Sequence, residues 1–436
     1  LLKGKGGLPF SPDIIICDEA HKIVDAARKA SSVEDSFSDW TNLLSQRNIA
    51  LLDKKYMELS LSGAEVKDKI SHLSLHISNY FNSTGRAYEE RTPITTLPEL
   101  IKNEKEKICT LLDEVGELLK PAKDHLSMFS EDPVFMKEED SHFFAWLNEF
   151  NRISSYFRFV SDISLYPDWS YWREGHKMIA SPTKCSGIIP SCLDLLETEH
   201  MVFISATLTM DGSFKYWKQE TGLEPEREHV YPSEFLLGKK MEIWVVDIGF
   251  SVMQMGYDKQ VCRVVEKLCD ENMGKSLVLL SSKRLLSSLS VHFSELLKPY
   301  RVFVQGELPK GELLQLFRHD TDSVLLGMVS FREGIDIPGE SLSQVIIDRI
   351  PFPHPNDPVI QTRNRLEGSM AFMNVTLPTA KMVLKQATGR LIRTHSDRGR
   401  VVILDKRVIE RSDWNIQGVL PQVKYRYLKT KGGIVA

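Results

Sequence analysis

Ile14-Ile15-Ile16-Cys17-Asp18-Glu19-Ala20-His21 is an apolar run that ends in two carboxylates, and its reading decides the fold. Four consecutive apolar residues between Pro12 and Asp18 suit a buried strand at the centre of a parallel sheet. Such a strand would carry Asp18 and Glu19 to a phosphate site at its end. After His21 the texture changes. From about Ile23 to Met178 the sequence is mostly amphipathic and helical. Ile101, Ile108, Leu111, Leu112, Val115, Leu118 and Leu119 recur at helical spacing, and Pro121 is expected to stop that helix. Phe143, Phe144, Trp146, Leu147, Phe150, Ile153, Tyr156, Phe157 and Val160 give a second stripe that reads as core packing within a helical insertion.

Strand texture returns near Tyr171-Trp172 and again at Met201-Val202-Phe203-Ile204, which feeds Ser205-Ala206-Thr207-Leu208. From about Met241, apolar strands alternate with helical patterns. The strands read as Ile243 to Ile248, Leu277 to Leu280, Val302 to Val304, Val324 to Val329, Val345 to Ile347 and Val401 to Leu404. The helices read as Asp258 to Glu271, Lys283 to Leu297, Lys310 to Arg318 and Thr379 to Ile392. This alternation argues for a doubly wound α/β domain.

At 436 residues the chain is too long for one core, so two or three domains are expected. A formal charge of -4 gives no global basic signal, so a nucleic-acid surface would have to be a local track. No run reaches the length of a membrane span, and the opening Leu-Leu-Lys-Gly-Lys-Gly-Gly lacks signal-peptide order. A start on leucine suggests a piece of a longer protein. The six cysteines, Cys17, Cys109, Cys185, Cys192, Cys262 and Cys269, form no C-x-x-C pair and read as buried reduced thiols of a cytoplasmic protein.

Gln386-Ala387-Thr388-Gly389-Arg390-Leu391-Ile392-Arg393 places two arginines one helical turn apart, with Leu391 and Ile392 packing the other side. Nucleotide hydrolysis needs a magnesium ion, an oriented water and cations that absorb charge on the transferring phosphoryl group. Asp18 suits the metal, Glu19 the water and the arginines the charge. The phosphate-cradling sequence G-x-x-x-x-G-K-[ST] is missing. Gly274-Lys275-Ser276 imitates its tail, but Cys269 stands where a glycine is required, and the triplet follows a helix and precedes a strand. It reads as a helix cap and turn. Ser330-Phe331-Arg332-Glu333-Gly334-Ile335-Asp336-Ile337-Pro338-Gly339 follows a buried strand as a glycine-punctuated loop carrying both acids and a base.

Taken in order, these segments resemble the DinG and XPD group of superfamily 2 DNA helicases. Asp18-Glu19-Ala20-His21 is similar to motif II, Ser205-Ala206-Thr207-Leu208 to motif III, Ser330 to Gly339 to motif V and Gln386 to Arg393 to motif VI. The form of motif V, with Asp348-Arg349-Ile350-Pro351-Phe352-Pro353 beyond it, points to the bacterial DinG branch. The resemblance implies an α/β fold of RecA-like parallel-sheet motor domains, the first one truncated, with a mainly helical inserted arch domain. On it, residues 1–24 are a remnant of the first motor, 25–180 the arch, 181–238 the first motor resumed and 239–436 the second motor.

The resemblance further implies ATP with Mg2+ as cofactors and 5′-to-3′ movement on single-stranded DNA by a monomer. Asp18 would coordinate magnesium and Glu19 would activate water. His21 with Gln386 would couple the domains, and Ser205 and Thr207 would link a phosphate-site carboxylate to another surface. Arg390 and Arg393 would act as arginine fingers. Glu333, Gly334 and Asp336 would lie near the nucleotide, and Ser282, Gln305, Ser330 and Phe331 would line the DNA track. Motifs I and Ia and the four cysteines of an iron–sulfur cluster would precede residue 1, so the parent protein can hold such a cluster but this chain does not. The expectation is an ATP-dependent helicase whose present piece is inactive alone, with exposed apolar surface on the first motor. The alternatives are a non-catalytic DNA-binding module and the helicase-like part of a DinG-type exonuclease.

Overall fold

The structure, a computed structural model, describes residues 12–58, 63–83, 91–94, 99–127, 138–196, 198, 200–332, 337, 339–431 and 434–435. β1 (Ile14–Cys17) comes first. The chain divides into two compact units. One gathers Lys22–Glu199 with His354–Ala371, and the other gathers Ile14–His21, His200–Pro353 and Phe372–Ala436.

The first unit pairs helices with a small antiparallel sheet. β2 (Val33–Ser36), β3 (Thr92–Pro93), β4 (Trp169–Glu174) and β5 (Lys177–Pro182) lie in the order β2-β5-β4-β3. The sequence reading finds strand texture within β4, near Tyr171-Trp172, but misses its hairpin partner β5 and the short, sequence-distant β2 and β3. The helix Ala64–Ser83 buries Val66, Ile70, Leu73, Ile77, Tyr80 and Phe81, a stripe at three- and four-residue steps. The helix Glu138–Ser161 answers with Phe143, Trp146, Phe150, Ile153 and Phe157. Phe157 meets Tyr80 edge-on at 5.2 Å and Trp40 at 6.1 Å, so the aromatic stripe is core as expected.

Pro121 does not end its helix, which runs from Glu99 to Ser127. Leu119 and Ala122, on either side of the proline, are fully buried. Burial of a leucine contributes about 1.5–3 kcal/mol, enough to offset the roughly 3 kcal/mol penalty of an interior proline when neighbours add to it. The helix Pro358–Glu367 also belongs to this unit, where Arg365 donates to the Pro167 carbonyl at 2.8 Å and Lys184 pairs with Glu367 at 3.0 Å.

In the second unit, β6 (His200–Phe203) pairs with β1 in parallel, Cys17 opposite Phe203. The pair is not buried on both faces: Ile14 and Ile16 are 56% and 64% exposed, and Val202 and Ile204 are exposed too. A strand central by composition is therefore half open among the described residues.

The large sheet follows: β7 (Met241–Asp247), β8 (Ser276–Leu280), β9 (Arg301–Val304), β10 (Ser323–Met328), β11 (Gln344–Ile347), β12 (Gly399–Ile403), β13 (Lys424–Lys431) and β14 (Ile434–Val435). Their order is β14-β13-β7-β12-β11-β8-β10-β9, parallel throughout except for β14. Period-two alternation splits the core. Ile243, Leu277, Leu279, Leu325, Ile347 and Ile403 face the helices Lys310–His319 and Leu377–Thr388. Val246, Val278, Leu280, Leu326, Ile346 and Val402 face the helices Tyr257–Glu271 and Lys283–Ser294. Both faces are covered, which is why these strands read as continuous apolar runs. Gly274, at φ +78°, closes the helix before β8 by donating to the Cys269 carbonyl at 2.9 Å, so the Gly274-Lys275-Ser276 triplet is the helix cap read from the sequence.

Candidate nucleotide-coupling site

The acidic motif turns sharply off β1. Ile204 donates to the Cys17 carbonyl and Ala20 to the Ile204 carbonyl, both at 2.9 Å, so the ends of β1 and β6 are laced together. Trp217 Nε1 donates to the Ala20 carbonyl at 3.2 Å beneath the turn. Glu19 has φ +50°, a left-handed conformation that costs a side-chain-bearing residue about 1–2 kcal/mol. The strain leaves Asp18 and Glu19 exposed while returning His21 toward β6. Asp18 Oδ1 accepts from the Glu19 amide at 2.8 Å.

From there a line of polar contacts crosses the unit. His21 Nδ1 lies 3.3 Å from Glu19 Oε2 and shares a 2.8 Å hydrogen bond with Ser205 Oγ. Ser205 Oγ lies 3.4 Å from Thr207 Oγ1, and Gln386 Nε2 donates to Thr207 Oγ1 at 3.3 Å. Glu19, His21, Ser205, Thr207 and Gln386 are thus brought together by the fold. The same helix that carries Gln386 adds two lysines. Lys385 Nζ donates to the Thr209 carbonyl at 3.0 Å, and Lys381 Nζ lies 3.4 Å from Asp211 Oδ2. Burial lowers the Lys385 pKa below its ordinary value, though Asp211 pulls the other way. Thr209, Asp211, Lys381 and Lys385 were not singled out from sequence. Their signal was the i, i+4 spacing of the lysines on the helix that carries Gln386.

The arginines are placed differently from the expected helix. The helix ends at Thr388, with Gly389 as its cap at φ -69°, so Arg390 and Arg393 stand in the turn that follows. Gly389 donates to the Lys385 carbonyl at 3.1 Å, closing the last turn. A Cβ at Gly389 would sit 3.5 Å from that carbonyl oxygen, ordinary contact, so the glycine's use here is helix termination. Leu391 and Ile392 pack into the core, as their apolar character suggests. The Asp397 carboxylate holds the turn by accepting from the Arg393 amide at 2.7 Å.

The residues proposed for a DNA track have mixed environments. Ser282 caps the helix Lys283–Ser294, its hydroxyl accepting from the Leu285 amide at 3.2 Å. Gln305 spends its side-chain oxygen on the Met328 amide at 2.7 Å. Ser330 is exposed. Phe331 is only 5% exposed, wedged against Gly327 with Lys310 Nζ 4.9 Å over its ring. Phe331 was expected to line the DNA track; in the structure its apolar ring is core, and a glycine at 327 leaves room for it. Glu333, Gly334 and Asp336 lie outside the described residues.

A magnesium ion would find hard oxygen chemistry at Asp18. One carboxylate oxygen is bound to the Glu19 amide, which leaves the other available at an exposed strand end. A single carboxylate suits magnesium, which keeps several waters and needs no all-protein cage.

Residues 265–422 match the helicase C-terminal domain family. Over 94% of this chain, the sequence is 27% identical to ATP-dependent DNA helicase YoaA of Haemophilus influenzae, covering 62% of that protein. It is 25% identical over 93% of this chain to 3′-5′ exonuclease DinG of Bacillus subtilis, covering 48% of that protein. The chain thus spans between about half and two thirds of the length of these relatives. The fold is similar to a solved XPD helicase, with a TM-score of 0.54 over 95% of this chain and 68% of the other, at 18% identity.

Proposed function

We propose that this chain is part of a DinG/XPD-like superfamily 2 helicase and serves an ATP-driven motor that moves 5′ to 3′ on single-stranded DNA. The observation that carries the proposal is the contact line from Glu19 through His21, Ser205 and Thr207 to Gln386. It gives the acidic motif a physical connection to the segment that bears Arg390 and Arg393.

In this reading Asp18 holds magnesium, which when bound neutralises charge on the phosphates. Glu19 orients the attacking water. His21 and Ser205 hold the Glu19 carboxylate in place, and Gln386 reports its state to the arginine turn. Arg390 and Arg393 supply positive charge to the transferring phosphoryl group, a contribution worth about 10³–10⁵ in rate. Ser282, Gln305 and Ser330 contact the DNA backbone through their main-chain segments, and Glu333, Gly334 and Asp336 adjoin the nucleotide. The motor acts as a monomer in the cytoplasm; no helix among the described residues is long and apolar enough to cross a membrane.

The test uses the protein encoded by the complete reading frame. Single-stranded DNA should stimulate its ATP hydrolysis, and Glu19→Gln or Arg390→Ala should remove that stimulation while the thermal melt is kept. Unchanged turnover in both variants overturns the site. A second reading, an exonuclease whose helicase-like part positions DNA, is favoured by the name of the Bacillus subtilis relative. Metal-dependent 3′-to-5′ digestion without ATP-driven unwinding would select it.

A further inference from the structure

Asp397 is buried, only 5% exposed, and both of its carboxylate oxygens are occupied. Oδ2 accepts from the Arg393 and Thr394 amides, each at 2.7 Å. Oδ1 accepts from Thr394 Oγ1 at 2.7 Å and from the Gly339 amide at 3.1 Å. Burial alone would raise the pKa of this group, but the hydroxyl and the three amides outweigh it and hold the carboxyl below its ordinary range. The aspartate is therefore a fixed charge at neutral pH.

Its partners come from two segments of the chain. Arg393 and Thr394 belong to the turn beyond the helix Leu377–Thr388, where the helical ladder no longer fixes the backbone. Gly339 has a φ of +95°, which needs a glycine. One buried carboxylate thus clips Gly339 to the backbone of Arg393; Gly339 and Asp397 are 58 positions apart.

We propose that Asp397 is a positioning residue that sets Arg393 and makes the arginine turn move with Gly339 and the segment that follows it. The proposal deepens the motor reading and rests on it for its functional part. If the segment that begins at Gly339 responds to DNA, the clip passes the response to the arginine turn without any contact between DNA and nucleotide. An amide cannot replace the carboxylate. Asp397→Asn keeps the size but turns an NH2 toward hydrogen-bond donors, leaving at least one of them unpaired.

Two measurements test this. Hydrogen exchange on the present chain reads the clip directly. Asp397→Asn should speed exchange at Gly339, Arg393 and Thr394 together, and Thr394→Val should do so to a smaller degree. Faster exchange at Arg393 and Thr394 with Gly339 unchanged overturns the clip. Kinetics on the complete protein reads its use. Asp397→Asn should lower DNA-stimulated kcat by about tenfold or more with the KM for ATP within about threefold, because the arginine acts in the transition state. It should also shrink the ratio of stimulated to unstimulated turnover. Wild-type kcat, or an equal loss with and without DNA, overturns the positioning role. A complete protein without any DNA-stimulated turnover, yet with the expected exchange pattern, would instead refute the motor reading and leave the clip standing.

Discussion

His21 Nδ1 and Ser205 Oγ stand 2.8 Å apart although 184 positions separate them in the chain. The bond exists because β1 and β6 pair in parallel register and the left-handed turn at Glu19 folds the imidazole back over the end of the pair. The contact line to Gln386 runs through this pair.

Cutting the line at Ser205 should therefore resemble cutting it at Gln386. In the complete protein, Ser205→Ala and Gln386→Ala are each expected to lower DNA-stimulated ATP hydrolysis by roughly 10–100-fold, and the double variant by little more than either. The double-mutant cycle measures this. Additive losses would mean that the two side chains act separately.

The backbone at Glu19 gives a stability prediction that is independent of chemistry. A left-handed conformation suits glycine, so Glu19→Gly should be more stable than Glu19→Ala by about 1 kcal/mol, although glycine usually loses such comparisons. Thermal melts of the two variants decide it. An alanine variant as stable as the glycine variant would remove the strain.

Asp35 makes the first unit pH-sensitive. It is 2% exposed, and burial pushes its pKa up to about 7, although the hydrogen bond from Trp40 Nε1 at 2.8 Å pulls it down. A carboxyl raised in the folded state binds its proton more tightly there than in the unfolded chain. Its stabilising contribution is thus full below about pH 4 and lost as the pH rises through 7. Asp35→Asn keeps an acceptor for Trp40 and never ionises, so it should raise the melting temperature more at pH 8 than at pH 5. A tenfold difference in proton affinity between folded and unfolded chain corresponds to roughly 1.4 kcal/mol, which makes the effect measurable. Equal gains at both pH values would show that Asp35 is not the group responsible.

The 436 residues contain no G-x-x-x-x-G-K-[ST] sequence. A carboxylate proposed to hold metal and two arginines do not by themselves orient a triphosphate, and misplacement of about 1 Å can cost 10² in rate. We expect this chain alone to show no DNA-stimulated ATP turnover in a coupled assay. Turnover above background that is lost in Glu19→Gln would show that the chain cradles the phosphates by other means.

Much of the architecture was legible because burial leaves periodic traces. Six strands of the large sheet announced themselves as apolar runs, since both faces are covered by helices. The acidic and arginine motifs were legible as local chemistry. Of the small sheet only β4 was legible, as strand texture near Tyr171-Trp172; β2 and β3 are short and owe their pairing to the β4–β5 hairpin far off in sequence. Nor was the fate of Phe331, whose aromatic ring is compatible with a stacking platform or a core; the space beside Gly327 decided for the core. Arg390 and Arg393 were expected on a helix, and only the cap at Gly389 moved them into a turn.

By itself, then, the sequence determined the strand and helix periods of the second unit and which charged side chains cluster in its motifs, because those properties are carried by neighbours in the chain. The tertiary structure alone decided which of them meet. His21 finds Ser205, Gln386 finds Thr207, and Asp397 gathers Gly339 and Arg393, through hydrogen bonds whose donors include main-chain amides that no residue type reveals.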